Sequence, residues 1–167
     1  VLLGLIIEDV TGQSVGATIE AGITGPLGLN NTWFATTPAL VQPFARGYMD
    51  TDADDDVDDV SVSNVSIPWA AGAMVSTLDD LHTWLDAFAK GELLSAATQA
   101  QREDWVDARQ DGAVQYGLGM TRLRPFVGHD GLIWGYNVSM YYHENRDAAF
   151  VVMVNGTPDY ENYAGLI

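Results

Sequence analysis

The sequence has 167 residues and 47% hydrophobic content, which is enough to bury one ordinary globular core and gives no indication of a second complete domain. Its 23 acidic and 7 basic residues give a formal charge of -16, and this excess disfavours nucleic-acid binding because phosphates would be repelled. The chain has no cysteine, which excludes disulfides and thiolate chemistry, and no apolar run approaches the length of a membrane span.

Two helices are predicted at the start of the chain. Apolar residues recur at helical spacing over 1–11, and Gly12 stands where that helix would end. Ser14 then offers a cap for a second helix over about 15–24. The apolar pattern is already under way at Val1, without an initiator methionine or the positive flank of a signal peptide, so we expect an upstream segment.

Residues 30–68 lack a clear periodicity and predict a long irregular excursion over the surface. Seven aspartates fall within 50–59, and three of them, at alternate positions from Asp50, partly fit a calcium loop. The sixth place of such a loop holds Asp55 instead of glycine, and the twelfth holds Ser61 instead of glutamate. A solvated acidic loop is therefore favoured over calcium, and no metal site is predicted.

Two further helices are predicted in the middle of the chain. A hydroxyl cap within Ser76-Thr77 and first-turn acidic residues precede a regular apolar face that ends at Lys90. Ser95 is predicted to cap another helix that runs to about Arg109, with Trp105 and Val106 directed inward.

In the last third of the chain the hydrophobic period becomes strand-like. Strands are predicted over 116–122, 137–143 and 148–155, and the last is apolar on both faces, which predicts that it is buried. Helices first and adjacent strands last indicate an α+β fold with an antiparallel sheet. The expected organisation is a mainly helical part over 1–111, followed by antiparallel strands over 112–167.

Two short segments match hydrolase motifs by spelling alone. Gly12-Gln13-Ser14-Val15-Gly16 matches the nucleophile elbow of α/β-hydrolases, but an elbow requires a strand that runs into the serine, and the preceding pattern is helical. Ser14 is therefore interpreted as a helix cap, with the elbow as the alternative. Tyr160-Glu161-Asn162 matches a Tyr-x-Asn motif but follows the last predicted strand, so we interpret it as a chance match.

The most informative segment is Gly128-His129-Asp130-Gly131, where a histidine lies between two glycines at the start of a predicted strand. The glycines leave the backbone bare, so that another group can approach closely. Taken alone, the segment fits a turn histidine before a strand as well as a functional histidine.

Six fragments, in order along nearly the whole chain, resemble the serine beta-lactamase family, which includes class C enzymes, D-alanyl-D-alanine carboxypeptidases and related esterases. They are "LLGLIIEDVTGQSV", "PLGLNNTWF", "ARGYMD", "WAAGAMVSTLDDLHTWLDAFAKGELLS", "YGLGM" and "GHDGLIWGYN". The resemblance implies a beta-lactamase/transpeptidase-like fold, here a helical lobe followed by the last strands of the sheet, with the N-terminal part missing.

In that family a Ser-x-x-Lys motif supplies the nucleophile, a Tyr-x-Asn motif contributes to proton transfer, and a strand with Lys/His-x-Gly closes the pocket. This chain resembles the last motif through His129, Asp130 and Gly131. The resemblance implies that His129 faces the nucleophile and that the backbone N–H of Leu132 is one of two oxyanion-hole donors.

The same resemblance implies two substrate-binding residues. Trp69 resembles the aromatic wall of the pocket, and Arg122 lies close to where relatives place an arginine for a substrate carboxylate. The alternatives are a core or rim tryptophan and a solvated arginine.

The departures from the family pattern limit the functional expectation. The only lysine is Lys90, and Ala87 stands three places before it, so the chain has no Ser-x-x-Lys motif. The Tyr-x-Asn motif would be expected just before Val1. Asp130 replaces a hydroxyl residue that is common in the family, and a carboxylate in the pocket should repel a substrate carboxylate. We therefore expect part of a serine hydrolase, inactive by itself, with an esterase or peptidase favoured over a beta-lactamase.

The alternative is a non-catalytic binding module that retains the groove. We expect a small ester, amide or peptide as the partner and no cofactor, and the resemblance suggests an extracytoplasmic location. The aspartate excess also fits a high-salt environment, where self-repulsion is screened. A sheet without its missing strands should expose an unpaired edge and an uncovered apolar face.

Overall fold

The structure, a computed structural model, describes residues 1–52, 56–109 and 111–157. In these ranges helices come first and an antiparallel sheet last, which confirms the predicted α+β class. The helices are α1 (Leu2–Thr11), α2 (Val15–Ile19), α3 (Gly25–Leu27), α4 (Leu78–Lys90) and α5 (Ala96–Arg102), with a π-helical turn at Glu20–Thr24 and a 3₁₀ turn at Trp69–Ala71. None of the described helices has both the length and the apolar character needed to cross a membrane.

The strands form three sheets. They are β1 (Trp33–Phe34), β2 (Tyr48–Met49), β3 (Asp58–Asp59), β4 (Met74–Val75), β5 (Val106–Asp107), β6 (Gln115–Tyr116), β7 (Thr121–Leu123), β8 (Phe126–Ile133), β9 (Tyr136–His143), β10 (Ala148–Val154) and β11 (Gly156–Thr157). The main sheet is antiparallel throughout, with the order β10-β9-β8-β7-β6-β5. A pair β1-β4 and a sheet β11-β2-β3 lie beside it.

The N-terminal helices follow the predicted caps. Gly12 ends α1 in a left-handed conformation with φ 66°, and Ser14 caps α2, since its hydroxyl accepts a hydrogen bond from Ala17 N at 3.2 Å. No strand runs into Ser14, so the geometry of a nucleophile elbow is absent at this position. The other spelling match, Tyr160-Glu161-Asn162, lies outside the described residues.

Helix α1 rests on the 3₁₀ turn through a glycine. Most of its apolar side chains are exposed, and its buried residue is Gly4. A Cβ at Gly4 would stand 2.4 Å from Ala70 Cβ and 3.0 Å from the Trp69 ring. The helix therefore approaches the turn more closely than a residue with a side chain would allow.

Two hydrophobic cores lie under the main sheet. In the first, Leu85 and Phe88 of α4 pack against Met120, Val127 and Tyr142. Burying each large apolar side chain contributes about 1.5–3 kcal/mol, so this cluster fixes α4 against β8 and β9.

The second core lies at the other end of β8. Ala35, Val65 and Ala73 form its buried centre, and Ile133 packs against them. Because Val127 belongs to the first core and Ile133 contacts the second, β8 is held at both of its ends.

Lys90 joins the end of α4 to the turn between β9 and β10. Its ammonium lies 2.8 Å from Asp86 and 3.1 Å from Asp147. The hydrogen bonds to Asp86 and then to Asp147 raise the pKa of Lys90. The hydroxyl of Tyr142 and then Lys90 lower the pKa of the Asp147 carboxyl. The only lysine of the chain is thus committed to structural ion pairs.

Two predicted elements after α4 differ in the structure. Helix α5 ends at Arg102 instead of Arg109, because Val106 pairs with Tyr116 as a strand and is 63% exposed. The predicted strand 116–122 is a hairpin, since the backbone turns where Gly117 N donates to Met120 O at 2.8 Å. Gly117 and Gly119 allow this turn. Strand pairing of Val106 with β6 takes the place of the hydrogen bonds that a longer α5 would make.

The last strand is exposed, which contradicts the prediction that it is buried. Strand β10 forms the edge of the main sheet, and Phe150 and Val152 are 43% and 50% exposed. The apolar pattern on both faces is real, but the described part of the chain places no layer over one of them. Within residues 1–52, 56–109 and 111–157, β10 thus has an unpaired edge and an apolar face without a covering layer.

The segment 30–68 is less irregular than predicted, because it contributes three short strands, β1 to β3. Arg46 pairs with Asp59, and hydrogen bonds from Ser61 are the first cause of the lowered pKa of Asp59. Residues 53–55 of the predicted calcium loop lie outside the described ranges. Among the residues that the structure describes, no three metal-ligating side chains come together.

We expect Gly4→Ala to destabilise the protein by about 1–3 kcal/mol, because the new methyl group overlaps Ala70 and the Trp69 ring. Gly22→Ala is the matched control, since its Cβ would meet nothing within 4 Å while the gain in helix propensity is similar. Thermal unfolding and tryptophan fluorescence measure the effect. Equal melting temperatures for the two variants would contradict the proposed close contact.

Candidate active site

His129 lies in the middle of a strand. It is the fourth residue of β8, paired with Met140 of β9, so the expectation of a position at the start of a strand is wrong. The reason is that β8 continues backwards through Gly128 and Val127 into a short turn shared with β7. Pairing of His129 with β9, and of the residues just before it with β7, gives the His129 backbone a fixed position.

The His129 ring makes two hydrogen bonds. Nε2 lies 2.8 Å from the Tyr116 hydroxyl, and Nδ1 lies 2.6 Å from the backbone oxygen of Asp130. A carbonyl oxygen only accepts, so Nδ1 carries a proton and donates to Asp130. In the neutral ring Nε2 is then the acceptor for the Tyr116 hydroxyl.

The Asp130 side chain lies on the opposite face of the sheet from His129, because successive residues of a strand point to opposite faces. Its carboxylate accepts hydrogen bonds from Ser139 Oγ and Tyr141 Oη, each at 2.7 Å. Burial, followed by Asp130, raises the pKa of the Tyr141 phenol, which keeps Tyr141 a donor. The expected repulsion of a substrate carboxylate assumed that the Asp130 side chain faces the same pocket as His129. The structure directs it to the other face of the sheet.

The glycines beside His129 serve the sheet. A Cβ at Gly128 would stand 2.0 Å from the backbone oxygen of Met140, and one at Gly131 would stand 2.9 Å from Val138 Cγ1. The group that approaches the bare backbone is thus strand β9, and no ligand is needed to explain the two glycines.

The backbone of Leu132 is directed to an open edge. Two-residue turns close the pairs Leu123 with Phe126 and Ile133 with Tyr136, so hydrogen bonding alternates along β8. Odd-numbered residues bond to β9, and even-numbered residues direct their N–H and C=O groups towards β7. Beyond Gly128 no described strand covers that side. The Leu132 N–H therefore points to an unpaired edge.

A cleft of about 280 Å³ opens beside the end of β8. Its lining is mostly apolar, and no charged side chain is among the described residues that form it. They are Met49, Ser63, Asn64, Val65, Ile67, Pro68, Leu132, Ile133, Trp134 and Thr157. The side chain of the proposed oxyanion donor thus lines an uncharged cavity.

Trp69 follows Pro68, a residue of the cleft lining, and its ring lies against Gly4 of α1. It has a φ of 44°, a conformation that costs a residue with a side chain about 1–3 kcal/mol and requires support from its surroundings. That support includes Gly4, which lies against the ring. Its neighbour Pro68, instead of Trp69 itself, lines the cavity.

Arg122 is committed to another contact. Its Nη2 lies 3.1 Å from both carboxylate oxygens of Glu144, and its guanidinium lies over the Trp105 ring at 5.1 Å. It pairs with Val127, five residues or about 16 Å along the strand from Leu132. Arg122 is thus held in a half-buried ion pair, and its role in binding a substrate carboxylate stays a prediction.

Two tyrosines without a predicted role also lie in this region. Tyr116 contacts His129, and Tyr141 contacts Asp130. A signal for Tyr116 was its place in the fragment "YGLGM", but its contact depends on strand register and was not readable from the spacing. The structure brings Tyr116 into contact with His129, which lies three residues before Leu132 on β8, and pairs Arg122 with Glu144.

The comparisons with known proteins agree with this fold. The profile of the family described as Beta-lactamase matches residues 1–166. A D-stereospecific amidohydrolase from Streptomyces sp. is 30% identical with a TM-score of 0.84, over 92% of this chain and 47% of that chain. D-amino acid amidase from Ochrobactrum anthropi SV3, crystallised with L-phenylalanine amide, is 28% identical with a TM-score of 0.82, over 97% of this chain and 50% of that chain.

Curated relatives extend beyond this chain as well. Unguisins hydrolase ungD' of Aspergillus campestris is 24% identical over 99% of the chain and 33% of its own length. The chain thus spans about half the length of the two solved structures and a third of this curated relative.

We expect Tyr141→Phe to make the protein less sensitive to alkaline pH. The folded protein keeps the Tyr141 phenol proton, which the unfolded chain releases at about pH 10. The contribution of Tyr141 to the unfolding free energy is therefore complete below that pH and is lost as pH rises towards the pKa of the folded state. Urea unfolding at several pH values should therefore show a steeper alkaline loss of unfolding free energy in the parent than in the variant. Tyr48→Phe, outside this network, is the control, and equal slopes for the parent and Tyr141→Phe would contradict the raised pKa.

Proposed function

The chain belongs to the beta-lactamase family, and from this premise we propose that the protein containing it is an acyl-serine hydrolase of amides, peptides or esters. In this proposal residues 1–167 form part of one beta-lactamase-related domain. The reaction transfers the acyl group of the substrate to a serine and then to water.

The observation that carries the proposal is the unpaired edge of β8. It offers the N–H of Leu132 to a carbonyl oxygen, with His129 three residues earlier on the same strand. A backbone N–H in a rigid strand suits an oxyanion hole, because the donor is already oriented when negative charge develops. We assign this role to Leu132 and the position facing the nucleophile to His129, while Gly131 permits the close strand pairing that keeps both in place.

The nucleophile must come from outside these residues. Lys90 is held by Asp86 and Asp147, and Ala87 occupies the place that a serine would need. One donor of an oxyanion hole without the nucleophile and its proton acceptor is not a catalyst, since loss of one donor alone costs about 10²–10³ in rate. We propose that the chain by itself does not form an acyl-enzyme.

Amides of amino acids or peptides are the substrates that we favour. Two similar structures at 28–30% identity are a D-stereospecific amidohydrolase and a D-amino acid amidase. The preference over beta-lactams no longer rests on Asp130, whose carboxylate bonds to Ser139 and Tyr141. It rests on these relatives.

The cavity beside Leu132 supports an apolar side chain in the substrate. Its lining contains Val65, Ile67 and Trp134, and none of the described residues that form it offers a counter-charge to an ionic group. A charged side chain would lose its hydration there without a partner, whereas an apolar one would gain from burial. In this proposal Trp69 supports the wall next to Pro68.

Ile67→Glu should lower kcat/KM for an apolar amino acid amide, such as phenylalanine amide, by at least about tenfold, because the substrate would meet an unpaired charge. Val62→Glu is the matched control, since Val62 is 91% exposed and outside the cavity. Rates for the complete protein measure the effect. An unchanged kcat/KM for Ile67→Glu, or an equal loss in both variants, would contradict the assignment of the cavity.

A serine-reactive phosphonate should label the complete protein and leave the chain 1–167 unlabelled. The coding DNA upstream of Val1 should then contain Ser-x-x-Lys in frame, followed by Tyr-x-Asn. An unlabelled complete protein without those motifs would favour the non-catalytic binding module. Labelling of the chain alone, abolished by Ser14→Ala, would overturn the proposed mechanism.

A further inference from the structure

We propose that Tyr116 is a positioning residue of the active site, which fixes the orientation of the His129 ring by holding Nε2. The inference rests on the proposed acyl-serine function. The Tyr116 hydroxyl is 2.8 Å from Nε2, and the two rings meet edge to face with centroids 5.7 Å apart. Both the polar tip and the ring of Tyr116 therefore face the same histidine.

The two hydrogen bonds of His129 act together. The Asp130 carbonyl requires a proton on Nδ1, and this leaves Nε2 of the neutral ring to accept from Tyr116. A hydroxyl group both donates and accepts, so Tyr116 can also accept from Nε2 when the ring is protonated. The direction of Nε2 is thus held in either charge state.

Tyr116 reaches His129 because of the strand register. Tyr116 pairs with Thr121, which pairs with Gly128, so the tyrosine lies two strands from the residue just before the histidine. Strand β7 ends there and leaves the β7 side of His129 without a described strand partner, so the Tyr116 hydroxyl can reach Nε2. No other described strand occupies this position.

The hairpin that follows Tyr116 is fixed against α5. Leu118 N donates to Arg102 O at 3.0 Å, and a Cβ at Gly117 would stand 2.1 Å from that same oxygen. Tyr116 is therefore held by sheet pairing on one side and by a tight contact on the other. Such support is what a residue needs to orient another side chain without touching the substrate.

In this role Tyr116 determines what His129 offers to the substrate. Nε2 is directed at the Tyr116 hydroxyl and Nδ1 at the Asp130 carbonyl, so the dipole of the imidazole ring has a fixed direction. The lone pair of Nε2 accepts from Tyr116 and is therefore not free to act as a general base. Removal of the hydroxyl would leave Nε2 without its hydrogen bond and permit the ring to change its orientation. The loss should then appear in kcat, with little change in KM.

The test uses the complete protein with ¹⁵N-labelled histidine, the His129 signals being assigned with His129→Gln. The parent should show Nδ1 protonated and Nε2 as a hydrogen-bonded acceptor. Tyr116→Phe should shift the Nε2 resonance and lower kcat by about tenfold, as expected for loss of one hydrogen bond. Tyr142→Phe is the control, because it removes a hydroxyl from the same sheet that bonds to Asp147 instead.

The outcomes separate this inference from the proposed function. Phosphonate labelling of the parent with unchanged His129 nitrogen signals in Tyr116→Phe would overturn the role of Tyr116. Changed signals with an unchanged kcat would also overturn it, since the contact would then have no bearing on the reaction. Absence of labelling in the parent would instead reject the acyl-serine proposal and, with it, a positioning role in that reaction.

Discussion

The attachment of strand β8 to two separate cores is the constraint on which the rest of the structure depends. Val127 is buried with the side chains of α4, and six residues later Ile133 packs against the second core. Between these anchors the strand has little freedom to slide or rotate, because a shift of one residue would exchange its two faces. His129 and Leu132 lie between the anchors, so their geometry follows from packing that neither of them provides.

Local signals were sufficient for α4 and for the bounds of β9 and β10, and insufficient for the end of α5 and for the pairing of the short strands. The cap at Thr77, the apolar face and Gly91 define α4 within one stretch of sequence, and the structure has them as predicted. The hairpin at Gly117 and the short β5 depend on partners far along the chain, which periodicity does not encode. The exposure of β10 depends on which elements pack over it. An apolar pattern on both faces indicates that both faces can be buried, but it does not show that another element covers them.

The candidate site shows the same division. The family resemblance predicted roles for His129 and Leu132, which stay predictions. The direction of the Asp130 side chain required knowing that His129 is in mid-strand, since alternation then sends the carboxylate to the other face. The contact with Tyr116 requires the register of three strands. The ion pair of Arg122 was not predictable from the sequence, because its partner, Glu144, lies beyond the end of β9 and is close only after the sheet forms.

Lys90 has a consequence for the chemistry that can be done on this chain. It is the only side-chain amine in 167 residues, and two carboxylates hold it in the protonated state. Acylating reagents attack the unprotonated amine, so coupling to a dye or a resin through lysine would be slow in the folded state and would detach α4 from the turn after β9. The rate of such coupling would consequently report how firmly that helix is seated on the sheet.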